Sequence, residues 1–184
     1  MPITIIDPLG NSDNLSLASS LYQGSVSVEG RGGNDKITTQ NGDDTVSGGT
    51  GNDSIYSNGG NDVIFGNENS DYISGGAGKD ILYGGDDDDT LNGGVGDDYM
   101  DGGAGNDDLW GNSGNDTLNG GTGVDMMVGG FGDDYYYVDN INDIVVEAEN
   151  LGTDTVFSLV NYISTSYIET IRLGGSAISI KAQQ

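Results

Sequence analysis

The sequence predicts an all-β fold: a right-handed parallel β-roll with two nine-residue repeats per coil, capped at both ends. Two observations predict it. From Gly30 to Tyr137 the chain divides into twelve consecutive nonapeptides with no insertion or deletion. Within that register the sixth position is always aspartate and the eighth is always apolar or aromatic. A unit such as Gly102-Gly103-Ala104-Gly105-Asn106-Asp107-Asp108-Leu109-Trp110 shows the pattern.

The aspartate column runs Asp35, Asp44, Asp53, Asp62, Asp71, Asp80, Asp89, Asp98, Asp107, Asp116, Asp125 and Asp134. The eighth-position column runs Ile37, Val46, Ile55, Ile64, Ile73, Leu82, Leu91, Met100, Leu109, Leu118, Met127 and Tyr136. Glycine holds the fourth position in ten units, and the exceptions are Asn69 and Asp87. These are the non-glycine types that best tolerate positive φ, so a left-handed turn is predicted there. The glycines at positions one and two allow close backbone approach and further unusual dihedrals. The first six residues of each unit are therefore expected to turn. The last three are expected to form a short strand with its central side chain inward.

If two units make one coil, each coil advances the stack by about 4.8 Å. Aspartates eighteen residues apart then stack on one edge. Asp35, Asp53, Asp71, Asp89, Asp107 and Asp125 form one ladder, and Asp44, Asp62, Asp80, Asp98, Asp116 and Asp134 form the other. Carboxylates at that spacing repel unless cations sit between them. Calcium suits such gaps, because it takes many oxygen ligands in flexible geometry, whereas magnesium demands a smaller octahedron. One inward residue per strand makes a thin core. The metal-free chain is expected to stay unfolded.

Composition narrows the function. Five basic residues face thirty acidic ones, a formal charge of −25. Nucleic acid and anionic lipid are disfavoured partners. Cysteine and histidine are absent. That rules out disulfides, thiolate or imidazole metal sites, a Ser-His-Asp triad and a His-Glu-x-x-His zinc site. Gly-x-Ser-x-Gly is also missing, so no enzyme activity is expected. The N-terminus lacks the basic and apolar regions of a Sec signal peptide. No apolar run approaches the ~20 residues of a spanning helix, so membrane insertion is not expected. A monomer is expected.

Residues 1–29 read as an N-terminal cap, with Val26-Ser27-Val28 as a possible first strand. Residues 30–137 read as the roll, and residues 138–184 as C-terminal capping strands. Asp139, Asp143, Glu147 and Asp154 are expected in turns and strand ends rather than on a metal. Asp86, Asp87 and Asp88 read as surface, with only Asp89 a repeat ligand. Trp110 and Tyr135 to Tyr137 read as strand packing rather than a sugar platform.

These units resemble the glycine-rich nonapeptides of the RTX (repeats-in-toxin), or haemolysin-type calcium-binding, family. The resemblance implies a calcium ion between consecutive same-edge turns. One turn supplies carbonyls of its second and fourth positions plus its aspartate. The next supplies carbonyls of its first and third positions plus its own aspartate. On this scheme Gly76, Gly78 and Asp80 face Gly93, Val95 and Asp98. Gly94, Gly96 and Asp98 face Gly111, Ser113 and Asp116. Gly103, Gly105 and Asp107 face Gly120, Thr122 and Asp125. Five gaps per edge allow up to ten ions, which would take the charge from −25 to about −5. Turns departing from the pattern are expected to be weak or empty: Gly30-Arg31, Thr39-Gln40, Ser57-Asn58 and Gly66 to Ser70. The resemblance further implies export by type I secretion machinery through a C-terminal signal, and folding on calcium outside the cell. The alternatives are an accessory module of a secreted enzyme or toxin, or a surface adhesin or ice-binding module.

Overall fold

A computed structural model describes residues 3–6, 10–16, 24–148, 151–164, 167–174 and 181–182. Among them the chain forms twenty strands. Alternate strands enter two long parallel sheets, one of ten strands and one of eight, and a short two-stranded pair lies near the C-terminus. The register within the repeats is eighteen residues throughout. Leu91, for example, pairs with Ile73 on one side and Leu109 on the other. That is the two-repeats-per-coil solenoid expected from the sequence.

The eighth-position column is the core. All twelve of its residues, from Ile37 to Tyr136, have no exposed surface. Their neighbours in the strand alternate outward, as in the pattern of Tyr99–Ala104. Each buried side chain stacks on its equivalent one coil away, so the core is a single file of side chains per sheet.

The strands are longer than expected. Most central strands span six residues, such as Tyr72–Ala77 and Thr117–Thr122, and continue through the double glycine to the third position of the next unit. The turn and the strand are not separate segments, because the interstrand ladder resumes beyond the corner, pairing Gly94 with both Gly76 and Asn112. Where the double glycine is lost after Thr38 and Tyr56, the strands Lys36–Thr38 and Ser54–Tyr56 stay at three residues.

The same sheets continue past the repeats. Ile3–Ile6 pairs with the strand Val26–Gly32, and Asn14–Ser16 pairs with Lys36–Thr38. At the other end Ile144–Val146 adds to Met126–Phe131, and Thr155–Ser158 adds to Tyr135–Val138. Thr170–Leu173 follows on the latter sheet. Val145 and Val156 extend the buried file. Residues 149–150, 165–166, 175–180 and 183–184, which fall in the tail read as an export signal, lie outside the described residues. No helix among the described residues is long and apolar enough to cross a membrane.

Aromatic side chains pack along the outer faces. Phe65 stacks on Tyr83 with centroids 5.1 Å apart, and Tyr137 meets Phe157 edge-on at 5.7 Å. Tyr136, by contrast, points inward.

Candidate metal centre

The fourth position has positive φ in all twelve units, including Asn69 at 74° and Asp87 at 75°. The second position is left-handed as well in every unit except the one with Gln40, and not only at glycine: Arg31, Asn58, Asn67 and Asn112 adopt it. These inversions swing the chain between sheets and place backbone carbonyls towards the next coil. A Cβ on Gly78 or Gly96 would overlap the fourth-position carbonyl of the coil before.

The aspartate that closes each turn folds inward. None of the twelve is more than 4 % exposed. From Asp53 on, each Oδ1 accepts the backbone N–H of the column aspartate one coil earlier: Asp62 N–H donates to Asp80, Asp80 to Asp98 and Asp98 to Asp116, all at 2.8 Å. On the other edge Asp89 N–H donates to Asp107 at 2.8 Å and Asp107 to Asp125 at 2.9 Å. Both predicted ladders exist, in the predicted register.

The second oxygen is different. In Asp53 and in the eight column aspartates from Asp71 to Asp134, Oδ2 is buried without a hydrogen-bond partner. Burying a carboxylate oxygen unpaired is costly, so a native fold needs a proton or a cation there. Burial pushes these carboxyl groups up, opposed by the backbone hydrogen bonds and reinforced by neighbouring carboxylates. Asp89 and Asp134 rise to about 8, Asp71, Asp98 and Asp125 to about 7, and Asp53, Asp62, Asp107 and Asp116 to about 6. Asp44 and Asp80 are also raised, chiefly by burial.

Several of these Oδ2 atoms share their space with a carbonyl of the next coil. A Cβ placed on Gly75 would meet Asp80 Oδ2 and Gly93 O. The same cradle forms between Gly102, Asp107 and Gly120, and between Gly111, Asp116 and Gly129. An anionic oxygen and a carbonyl oxygen thus converge where glycine leaves room, a donor set that fits a hard divalent cation. The predicted third-position donors Val95, Ser113 and Thr122 each accept a backbone N–H from the previous coil, at 2.8, 2.7 and 3.0 Å. A carbonyl oxygen retains a second lone pair for a metal.

Two first positions lack this room. Ser57 Oγ donates to Gly75 O at 2.6 Å, and Thr39 Oγ1 donates to Ser57 O at 3.1 Å. The Thr39 hydroxyl also hydrogen-bonds the Asp44 carboxylate. A neutral hydroxyl fills the cradle at these turns, a physical reason for the weak sites expected there. Ser57→Gly should open the gap between Asp62 and Asp80 and add one bound calcium ion. Native mass spectrometry of wild type and variant reads this directly, and equal stoichiometry would contradict it.

Sequence reasoning missed two features. One is a second ladder at position five, on the outside of the turns. Asn61 N–H donates to Asp43 Oδ1, Asn106 N–H to Asp88 Oδ1 and Asn115 N–H to Asp97 Oδ1, at 2.7–2.9 Å. The signal was present, since nine of the twelve fifth positions are Asn or Asp. Asp88 therefore holds the stack together rather than merely solvating it. The other is the extension of the acidic ladders past the repeats. Asp143 accepts Asp125 N–H at 3.2 Å and Asp154 accepts Asp134 N–H at 2.9 Å.

The fold and the turn geometry define an acidic parallel β-solenoid whose coils present paired oxygen donors to hard cations. The profile of the RTX calcium-binding nonapeptide repeat matches overlapping segments of the chain: residues 27–55, 38–73, 65–100, 74–109, 101–136 and 110–145. The chain belongs to this family, and its repeats are calcium-binding repeats. A search of curated proteins finds no match.

Proposed function

We propose that this chain is a calcium-triggered folding module of a secreted protein, with no catalysis of its own. The observation that carries the reading is the file of buried carboxylate oxygens that lack a partner, several of them beside a carbonyl of the next coil. Calcium bound there supplies positive charge and accepts hard oxygen ligands. The chain's own residues do the rest. Asp80, Asp98 and Asp116, with the carbonyls of Gly76, Gly78, Gly93, Gly94, Gly96, Gly111, Val95 and Ser113, hold successive gaps on one edge. Asp107 and Asp125, with the carbonyls of Gly103, Gly105, Gly120 and Thr122, hold a gap on the other. Up to ten ions fill the repeat gaps, fewer by those that Thr39 and Ser57 plug. With low calcium inside the cell the −25 chain stays extended and exportable through type I machinery. Outside, calcium binding is folding free energy.

Far-UV circular dichroism of EDTA-treated protein titrated with calcium tests this. β-structure is expected to appear cooperatively with calcium and not with equal magnesium. A compact β-protein in EDTA that ignores both ions would end the proposal.

Protons should substitute in part. Nine of the column carboxyls, from Asp53 and Asp62 to Asp134, rise in the metal-free roll to about 6 to 8 from the ordinary 3.8. The folded form then binds more protons, so protonation stabilises it. That contribution is complete below about pH 4 and is lost as pH rises through 6 to 8. In EDTA, β-content should therefore be greater at pH 5 than at pH 8, and the reverse order by circular dichroism would contradict the burial assigned to these groups.

A further inference from the structure

Past the last repeat, three carboxylates from three segments converge. Oxygens of Asp134, Glu147 and Asp154 all lie within 4.8 Å of one another. Asp134 closes the twelfth repeat, Glu147 follows the strand Ile144–Val146, and Asp154 precedes the strand Thr155–Ser158. The chain reaches Asp154 twenty residues after Asp134, two more than the repeat interval. The extra length brings in Glu147, a carboxylate with no counterpart in the sixth-position column.

An acidic cluster alone is no site, but this one encloses an oxygen in need of a partner. Asp134 is 1 % exposed and its Oδ2 has no hydrogen-bond partner. Its Oδ1 accepts the Asp116 N–H at 2.8 Å, as along the rest of the ladder, which leaves Oδ2 as the oxygen in need of a partner. The acceptor of the Asp134 N–H is Asp154 Oδ1, which aligns the two carboxylates in the direction of the ladder. Glu147 is held by the inward Tyr136, whose hydroxyl donates to Glu147 Oε1 while accepting Gly129 N–H at 2.7 Å. A Cβ on Gly129 would meet both Asp134 Oδ2 and the Tyr136 hydroxyl, so the glycine keeps this pocket open. Asp154 N–H in turn donates to Glu169 Oε2 at 2.8 Å, which fixes the far side of the turn.

We propose that Asp134, Glu147 and Asp154 form an additional calcium site that clamps the C-terminal strands onto the roll. It rests on the calcium reading of the repeats but differs in chemistry. Three carboxylates replace the two of a repeat gap, and two of them, Glu147 and Asp154, come from outside the repeat pattern. A higher ligand charge favours calcium binding, so the end of the solenoid is sealed by its own ion rather than by packing alone.

Hydrogen exchange of the segment 144–158, followed against calcium concentration, tests the site in the full chain. In Glu147→Gln, half-protection of this segment should need about tenfold more calcium, while residues 75–116 keep the wild-type midpoint. Tyr136→Phe removes the hydroxyl that holds Glu147 but leaves its charge, and should move the midpoint less. If the three carboxylates merely repelled one another, Glu147→Gln would protect the segment better with or without calcium, and that outcome overturns the site. Equal shifts in Glu147→Gln and Tyr136→Phe would also overturn it, reducing Glu147 to a hydrogen-bond partner of Tyr136. A wild-type chain whose residues 75–116 ignore calcium would take the repeat reading down with it.

Discussion

Replacing Asp98 by alanine is expected to remove two bound ions at once and to divide the calcium-induced folding into two steps. Asp98 sits between coils. Its Oδ1 accepts the Asp80 N–H at 2.8 Å, and its Oδ2 is buried beside Gly93. The family scheme places this carboxylate in the gap before it and in the gap after it. Alanine leaves the buried Asp80 N–H without its acceptor, which alone costs about 1–3 kcal/mol. Because each coil contacts only its neighbours, a fault in the middle uncouples the two halves. Asp98→Asn separates charge from shape. It keeps an oxygen for Asp80 N–H but loses the anion, so it should still lose ions while making the metal-free chain more stable in EDTA. Native mass spectrometry gives the ion count and limited proteolysis gives the two steps. Full stoichiometry in Asp98→Ala would contradict the placement of this residue.

Gly96→Val should be as damaging without touching a charge. Gly96 has φ of 134°, and a Cβ there would collide with Gly78 O in the preceding coil. A β-branched residue is both strained and obstructed, and a cost of at least about 3 kcal/mol follows. Loss of calcium-induced protection around residues 75–116 is the expected readout. By comparison Asn69→Gly changes a fourth position that already tolerates a side chain at φ 74°, and should cost less than about 1 kcal/mol. Similar calcium midpoints for Gly96→Val and wild type would mean that the left-handed corner is not required.

Most of the roll was legible because a strict nine-residue period gives each position one environment. The buried file from Ile37 to Tyr136 and the stacked aspartates follow from two columns of residues. The left-handed fourth position follows from the choice of Asn69 and Asp87 where glycine is missing. Other features need the third dimension. Arg31, Asn58 and Asn67 looked like losses of the turn, yet they keep positive φ at the second position. What changes the turns that begin at Thr39 and Ser57 is a hydroxyl in the cradle, and its effect is visible only once Ser57 Oγ is placed on Gly75 O. Strand length was underestimated because the ladder continues beyond a corner that sequence marks only as glycine. Asp154 escaped the nine-residue ruler through its two-residue offset. Glu147 escaped it because its position depends on the inward hydroxyl of Tyr136.

Anomalous scattering from crystals of the calcium-loaded chain puts the account to its most direct trial. Peaks should lie in two files inside the turns, between Asp80 and Asp98, between Asp98 and Asp116 and between Asp107 and Asp125, with none beside the Ser57 hydroxyl. Scattered peaks on the exposed acids Asp86 to Asp88, with the gaps empty, would show that the buried carboxylates are satisfied in some other way.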